Sequence, residues 1–130
     1  MIALTEDKRM LGYGVMTPYS NIFCFATTRR EGFSKGDYAS FNCTPYTGDD
    51  AESVRRNQEL LCNSMPQPPK ELVIPFQTHG TKVEVIDEKY LNATSDERTV
   101  MLQGVDALIT KEPGCCICIS TADCIPILLY

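Results

Sequence analysis

The chain has no tryptophan, one histidine, and no apolar stretch near the ~18 residues that cross a bilayer. A single imidazole excludes every local zinc motif that needs a histidine pair, and no two Cys-x-x-Cys pairs exist to replace it. The Gly-Lys-Ser/Thr signature of a phosphate-cradling loop is missing as well. Basic side chains are scarce: 12 Lys and Arg stand against 17 Asp and Glu, a formal net charge of -5. That balance excludes a generic nucleic-acid binder, whose affinity comes from neutralising phosphates. No secretory leader is expected at the start, because Met1 to Leu4 runs straight into Thr5, Glu6, Asp7, Lys8 and Arg9. A cytoplasmic protein with no membrane partner is expected, and oligomeric state is left open.

What is present is enough for a core. Apolar residues make up 43% of 130 residues, which predicts one domain over residues 1–130 and argues against disorder. Asn21 to Thr27 reads as a strand buried on both faces, with Leu11 to Val15 as its neighbour. Thr28 to Gly48 is rich in Gly, Ser, Asn, Thr and Pro without any period, so it reads as a long loop, a kind of segment that is more often functional than idle. Asp49 to Asn63 reads as a helix capped by Asp49, with Glu52 in capping-box position and Val54, Leu60 and Leu61 as its apolar stripe.

Further on, Leu72 to Phe76 and Val83 to Ile86 read as strands joined by a Gln77-Thr78-His79-Gly80 turn. Lys89 to Thr99 is polar throughout and reads as a poorly ordered excursion. Val105 to Thr110 and Cys115 to Thr121 are expected as strands around Lys111 to Gly114, and Ile125 to Tyr130 is apolar again. A final run of this kind is the expectation for a piece of a longer protein, incomplete at its C-terminus. The order predicts an α+β fold, mixed β-sheets packed with helices, and not a doubly wound parallel sheet.

Seven cysteines in a reducing compartment read first as small buried hydrophobes. Cys116 and Cys118 share one face of an alternating strand while Cys115 shares the other with Ile117, which suits packing. Cys124 differs, because Ser120-Thr121-Ala122-Asp123-Cys124-Ile125-Pro126 interrupts an apolar run and its backbone is expected to turn. His79 and Cys124 could bind zinc together, form a nucleophile and base pair, or be inert. Arg29, leaving a strand into the loop, could hold an anion with Ser and Asn, or pair on the surface with Glu31.

Taken in order, Thr27-Thr28-Arg29, Gly32-Phe33-Ser34, Tyr38-Ala39-Ser40-Phe41-Asn42, Gly48-Asp49-Asp50, Gln77-Thr78-His79-Gly80 and Ala122-Asp123-Cys124-Ile125-Pro126 resemble the YfiH-type laccase-domain family. Its members were once described as polyphenol oxidases and are understood as zinc-dependent purine nucleoside phosphorylases. The resemblance runs from about Gly12 to Tyr130, with Glu31 and Gln58 as departures from the usual residues. It implies a YfiH-like fold and zinc held by His79 and Cys124, with a third ligand from a downstream His-Ala-Gly-Trp segment that this sequence does not contain. It also implies purine nucleosides and phosphate as substrates, with Arg29 and Asp123 as catalytic residues and Ser40, Asn42 and Gln77 binding substrate. Adenosine deamination at the zinc would be a second activity. A Cys124–His79 hydrolase or amidase, and a non-catalytic interaction module, stand as alternatives.

Overall fold

The computed structural model describes all residues from Met1 to Tyr130, and they divide into two compact units, Met1–Pro66 and Gln67–Tyr130.

In the first unit, short strands β1 (Ile2–Ala3), β2 (Met10–Gly12) and β3 (Phe25–Thr27) pair antiparallel in the order β1-β2-β3. Met10 is fully buried, and the register sets it opposite Thr27. The expected doubly buried strand over Asn21 to Thr27 is corrected: only its last three residues pair, none is fully buried, and Phe23 is 40% exposed. Apolarity alone had suggested burial there. After Gly12 the chain turns into a single helical turn, Gly14–Met16, where continued strand was expected.

The predicted helix forms as α1, Ala51–Asn63, burying Val54, Asn57 and Leu61. Its cap is Asp50 and not Asp49: the Asp50 carboxylate accepts from the Ser53 amide at 2.9 Å. Glu52 therefore stands inside the first turn, where it pairs with Arg55 instead of closing a capping box.

In the second unit, strands β4 (Glu71–Val73), β5 (Lys82–Ile86), β6 (Val105–Thr110) and β7 (Cys115–Ile117) form two parallel pairs, β4-β7 and β5-β6. The strands on either side of the His79 turn thus do not pair with each other. Each finds a partner much later in the chain. The α+β class holds, with parallel pairs inside it. Val73, Ile86, Tyr90 and Leu102 form the core of this unit, flanked by Leu108, Cys115 and Ile117.

The expected disordered excursion is corrected to two helices, α2 (Glu88–Asn92) and α3 (Ser95–Met101). Asp87 caps the first, and Thr94 with Glu97 makes a reciprocal capping box on the second. Tyr90 is 3% exposed, so this polar segment still sends one aromatic ring into the core. Arg98 binds the pieces: its guanidinium donates to the Tyr90 and Leu91 carbonyls at 3.1 and 2.5 Å, pairs with Glu71 at 2.8 Å, and lies 5.1 Å from the Tyr90 ring. Ile125 to Tyr130 forms no strand, and its side chains are exposed.

Arg98→Ala is expected to lower the unfolding free energy by about 2 kcal/mol, since it removes the charge-assisted bonds to the Tyr90 and Leu91 carbonyls and the pair with Glu71. Thr94→Ala, which removes only the cap, should cost about 1 kcal/mol. Urea denaturation followed by far-ultraviolet dichroism measures both, and a parent-like midpoint for Arg98→Ala would show that Arg98 does not order this segment.

Candidate functional site

The long loop of the first unit is organised from one buried side chain. Asn57, on the inner face of α1, has no exposed surface. Its amide oxygen accepts from the Phe33 amide at 2.8 Å, and its nitrogen reaches the Ser34 hydroxyl at 2.9 Å, the Ser40 carbonyl at 3.2 Å and the Asn42 carbonyl at 2.7 Å. Beside it, Gln58 donates to the Cys43 carbonyl at 2.8 Å. Two adjacent helical amides thereby gather main chain from Phe33 to Cys43, which a loop whose only regular element is the helical turn Gly36–Tyr38 needs. The sequence reading passed over Asn57; an amide among the apolar positions of a helical stripe is the signal that could have found it.

Arg29, Ser40 and Asn42 all lie in this loop. The Arg29 guanidinium donates from Nε to the Ala39 carbonyl at 2.8 Å and from Nη2 to the Asp37 carbonyl at 3.0 Å, so it staples the loop across ten residues or fewer. No ion pair with Glu31 forms; Glu31 instead occupies the left-handed region with φ 56°. The Ser40 hydroxyl donates to the Arg29 carbonyl at 2.7 Å and accepts from the Gly32 amide at 3.0 Å. Asn42 donates to Thr47 and Asp49 side chains, each at 3.0 Å. The Ser34 hydroxyl, and after it the Asn42 amide, hold the Asp49 carboxyl below its usual range. Gly32 is there for space: a Cβ would stand 2.0 Å from the Ser40 carbonyl oxygen and 2.4 Å from the Phe41 Cα.

In the second unit, His79 sits at the apex of a turn with φ 58°, a left-handed conformation rare for a residue with a side chain. Asp106, at the start of β6, holds it there. Its carboxylate accepts from the Thr78 amide at 3.3 Å, the His79 amide at 3.0 Å and the Gly80 amide at 2.9 Å. These bonds, the Gly80 amide foremost, keep the Asp106 carboxyl below its usual range. The imidazole itself is exposed, and the bond from His79 to Asp106 is made by its main-chain amide. Gln77 lies two residues earlier and spends its amide on the main chain of one residue: Nε2 donates to the Ser120 carbonyl at 3.1 Å, and Oε1 accepts from the Ser120 amide at 2.7 Å. The His79 turn and the segment leading to Cys124 are therefore strapped together at Gln77 and Ser120. Asp123 and Cys124 follow on an exposed bend.

The cysteines sort by environment. All seven are free thiols. Burial, with Cys62 nearby, pushes the Cys43 thiol up to about 12, and burial also raises Cys24 and Cys115. The Sγ atoms of Cys116 and Cys118 lie 3.6 Å apart on a shared face, as alternation predicted, and that contact, then burial, raises the Cys116 thiol far out of the neutral range. Cys124 is the exposed one. For a zinc ion, an exposed thiol and an imidazole are suitable donors, and the buried, high-pKa thiols are not. No group of three or more His, Cys, Asp or Glu side chains converges in this chain, so His79 and Cys124 fit as part of a donor set only.

The chain belongs to the family described as multi-copper polyphenol oxidoreductase laccase, whose pattern covers residues 23–130. The motifs had pointed to the same family. It is 63% identical, over its whole length, to 48% of a protein of Bacteroides thetaiotaomicron named purine nucleoside phosphorylase. A second relative, from an unknown prokaryotic organism and named adenosine deaminase RL5, is 40% identical over 81% of this chain and 40% of its own length. The fold is similar to the crystal structure of YlmD from Geobacillus stearothermophilus, with TM-score 0.69 and 29% identity over 82% of this chain and 40% of that one. The chain thus spans about half, or less, of the length of the curated relatives it matches.

Two outcomes follow for the loop. Gly32→Ala should destabilise the protein by about 1–3 kcal/mol, because the Cβ must displace main chain, with heat or urea denaturation as the measure. For pH, a carboxyl whose folded pKa is depressed stabilises the fold above its unfolded value of about 3.9, and that contribution disappears as pH falls through the folded value. Amide exchange across Ser34 to Asp49 should therefore stay slow through mild acid and accelerate only below about pH 4. In Asp49→Asn that acid step should be absent; a step of equal size would assign it to another group.

Proposed function

We propose that this chain is part of a zinc-dependent purine nucleoside phosphorylase, one that converts adenosine, inosine or guanosine and phosphate to free base and ribose 1-phosphate and that also deaminates adenosine. The observation that carries the reading is the His79 turn: a lone, exposed imidazole held in a left-handed conformation by a dedicated carboxylate, beside the strap to the Cys124 segment. Backbone strain with such support marks functional positions more often than idle ones. The names of the relatives at 63% and 40% identity agree with it.

Phosphorolysis breaks the bond between ribose C1′ and the purine nitrogen while a phosphate oxygen bonds to C1′, and the base leaves with the electron pair. The chain must therefore hold an anion against a developing carbocation and offer the departing base a proton. Arg29 is the candidate for the anion: carbonyls occupy Nε and Nη2 and fix the plane of the fork, leaving Nη1 for an oxygen. Ser40 and Asn42 are proposed to bind substrate beside it, and Gln77 beside the purine. Asp123, exposed next to Cys124, is the candidate to hold or move the proton. His79 Nε2 or Nδ1 and Cys124 Sγ would hold zinc. When bound with an open position, the ion supplies Lewis acidity that activates water near neutral pH for loss of the purine amino group. A multicopper centre is a poorer match, because it demands several imidazoles and this chain contributes one.

One observation favours a second reading. Cys124 is exposed and free, as a nucleophile would be, which keeps a Cys124–His79 hydrolase in play. Thiol alkylation separates the two: zinc should protect Cys124, whereas a nucleophilic thiolate should react fast with or without the metal. The full-length zinc-loaded protein is expected to release hypoxanthine from inosine only when phosphate is present, to convert adenosine to inosine, and to lose the second activity on chelation. Failure of the metal-loaded protein to turn over inosine or adenosine with phosphate would end the proposal.

A further inference from the structure

We infer that Asp106 is a positioning residue for His79, acting through the main chain: three amides converging on one carboxylate hold the turn in the conformation that aims the imidazole. The inference rests on the proposed zinc reading for its purpose, but not for its geometry.

The physical case is one of need and supply. A non-glycine residue at φ 58° is disfavoured by contact between its Cβ and the following carbonyl, at roughly 1–2 kcal/mol. Glycine follows at position 80, yet the strained residue is the histidine itself. Something has to hold it. No strand pairing does so, because β4 and β5 pair with β7 and β6 and not with each other. The bonds that remain are those to Asp106, and all three residues of the turn from Thr78 to Gly80 donate to it.

The arrangement is specific in its chemistry. Three consecutive N–H groups pointing at one place form a concave anion nest, which a carboxylate fills with two oxygens and a negative charge. Oδ2 takes two of the amides and Oδ1 the third. An asparagine could fill the acceptor role of one oxygen but would turn an NH2 group toward the remaining donors. Position matters too: Asp106 is the extra residue of β6 at a register shift, between Val105 opposite Lys82 and Ala107 opposite Val83, so paired residues flank the carboxylate on both sides and it does not stand on another loop. Its hydrogen bonds go to main-chain amides and not to the imidazole nitrogens, which a ligand or base needs for itself. Supporting groups of this kind typically change metal affinity 10- to 100-fold when removed.

The test uses the full-length protein with Asp106→Ala, Asp106→Asn and His79→Ala. Zinc affinity is read by competition with a chromophoric chelator, and the His79 ring by NMR of its Cε1–H in protein carrying labelled histidine, resolved by comparison with His79→Ala. Asp106→Ala should weaken zinc about 10- to 100-fold and broaden or split the His79 resonance of the metal-free protein. Asp106→Asn should fall between Asp106→Ala and the parent in both readouts. If Asp106→Ala keeps zinc affinity within twofold and leaves the resonance sharp and unmoved, the inference is overturned, even if melting temperature falls. If the parent binds no zinc, or His79→Ala binds it as well as the parent, the zinc reading fails, and the ring resonance alone then decides: split by Asp106→Ala, it supports positioning; unchanged, it refutes it.

Discussion

The bonds from Thr78, His79 and Gly80 to the Asp106 carboxylate are the constraint on which the chemistry of the second unit depends. Without them the His79 turn has no reason to hold a left-handed residue, and the imidazole would sample directions no ligand or base could use. The carboxylate is fixed in its turn by β6, which pairs with β5 on both sides of Asp106, Val105 opposite Lys82 and Ala107 opposite Val83, and Val105 is fully buried. Rigidity thus passes from core to strand to carboxylate to turn, and only its last member, the imidazole, is free to meet a ligand.

The first unit uses the same economy with a different group. Asn57 has both donor and acceptor capacity, so one buried amide can satisfy an N–H and several carbonyls of a loop that no ladder reaches. A carboxylate could not do this, since Asn57 must donate as well as accept. An amide would serve poorly at Asp106, where every partner is a donor. The choice of Asn in one place and Asp in the other follows from which backbone groups each loop turns inward.

Much of this was legible in the sequence and some was not, for identifiable reasons. The helix over Ala51–Asn63, the long loop and the His79 turn follow from local signals: a capping acid, a stripe of apolar residues, a cluster of turn formers. Misplacing the cap by one residue came from two adjacent aspartates, either of which can accept an amide; the Ser53 amide selects Asp50. The helices after β5 were missed because polarity was read as disorder, although Thr94-x-x-Glu97 is a complete capping box in the sequence. Tyr90 shows why average polarity misleads, since one buried ring suffices to dock a short helix. The strand at Asn21 to Thr27 erred in the other direction, with apolar side chains left partly in water. Which strands pair was not legible at all: β4 with β7 and β5 with β6 are non-local choices, and nothing near either strand encodes its partner.

Cysteine was the residue type most open to misreading, and its environments now separate the roles. A thiol is a useful ligand or nucleophile only as thiolate, so a buried, uncharged setting removes it from that chemistry however near another sulfur lies. Cys116 illustrates this: its sulfur lies 3.6 Å from that of Cys118, yet that neighbour and burial make ionisation of Cys116 harder, and contact of this kind is packing. Cys124 stands outside that logic because it is exposed and four residues beyond the peptide that Gln77 grips from both sides. That grip has a consequence for the two candidate chemistries alike. Whether Cys124 serves as ligand or nucleophile, its segment is tied to the turn of the single histidine by two hydrogen bonds to the main chain of Ser120, so loosening Gln77 would disturb both in the same way, and only the protection of the thiol by metal tells them apart.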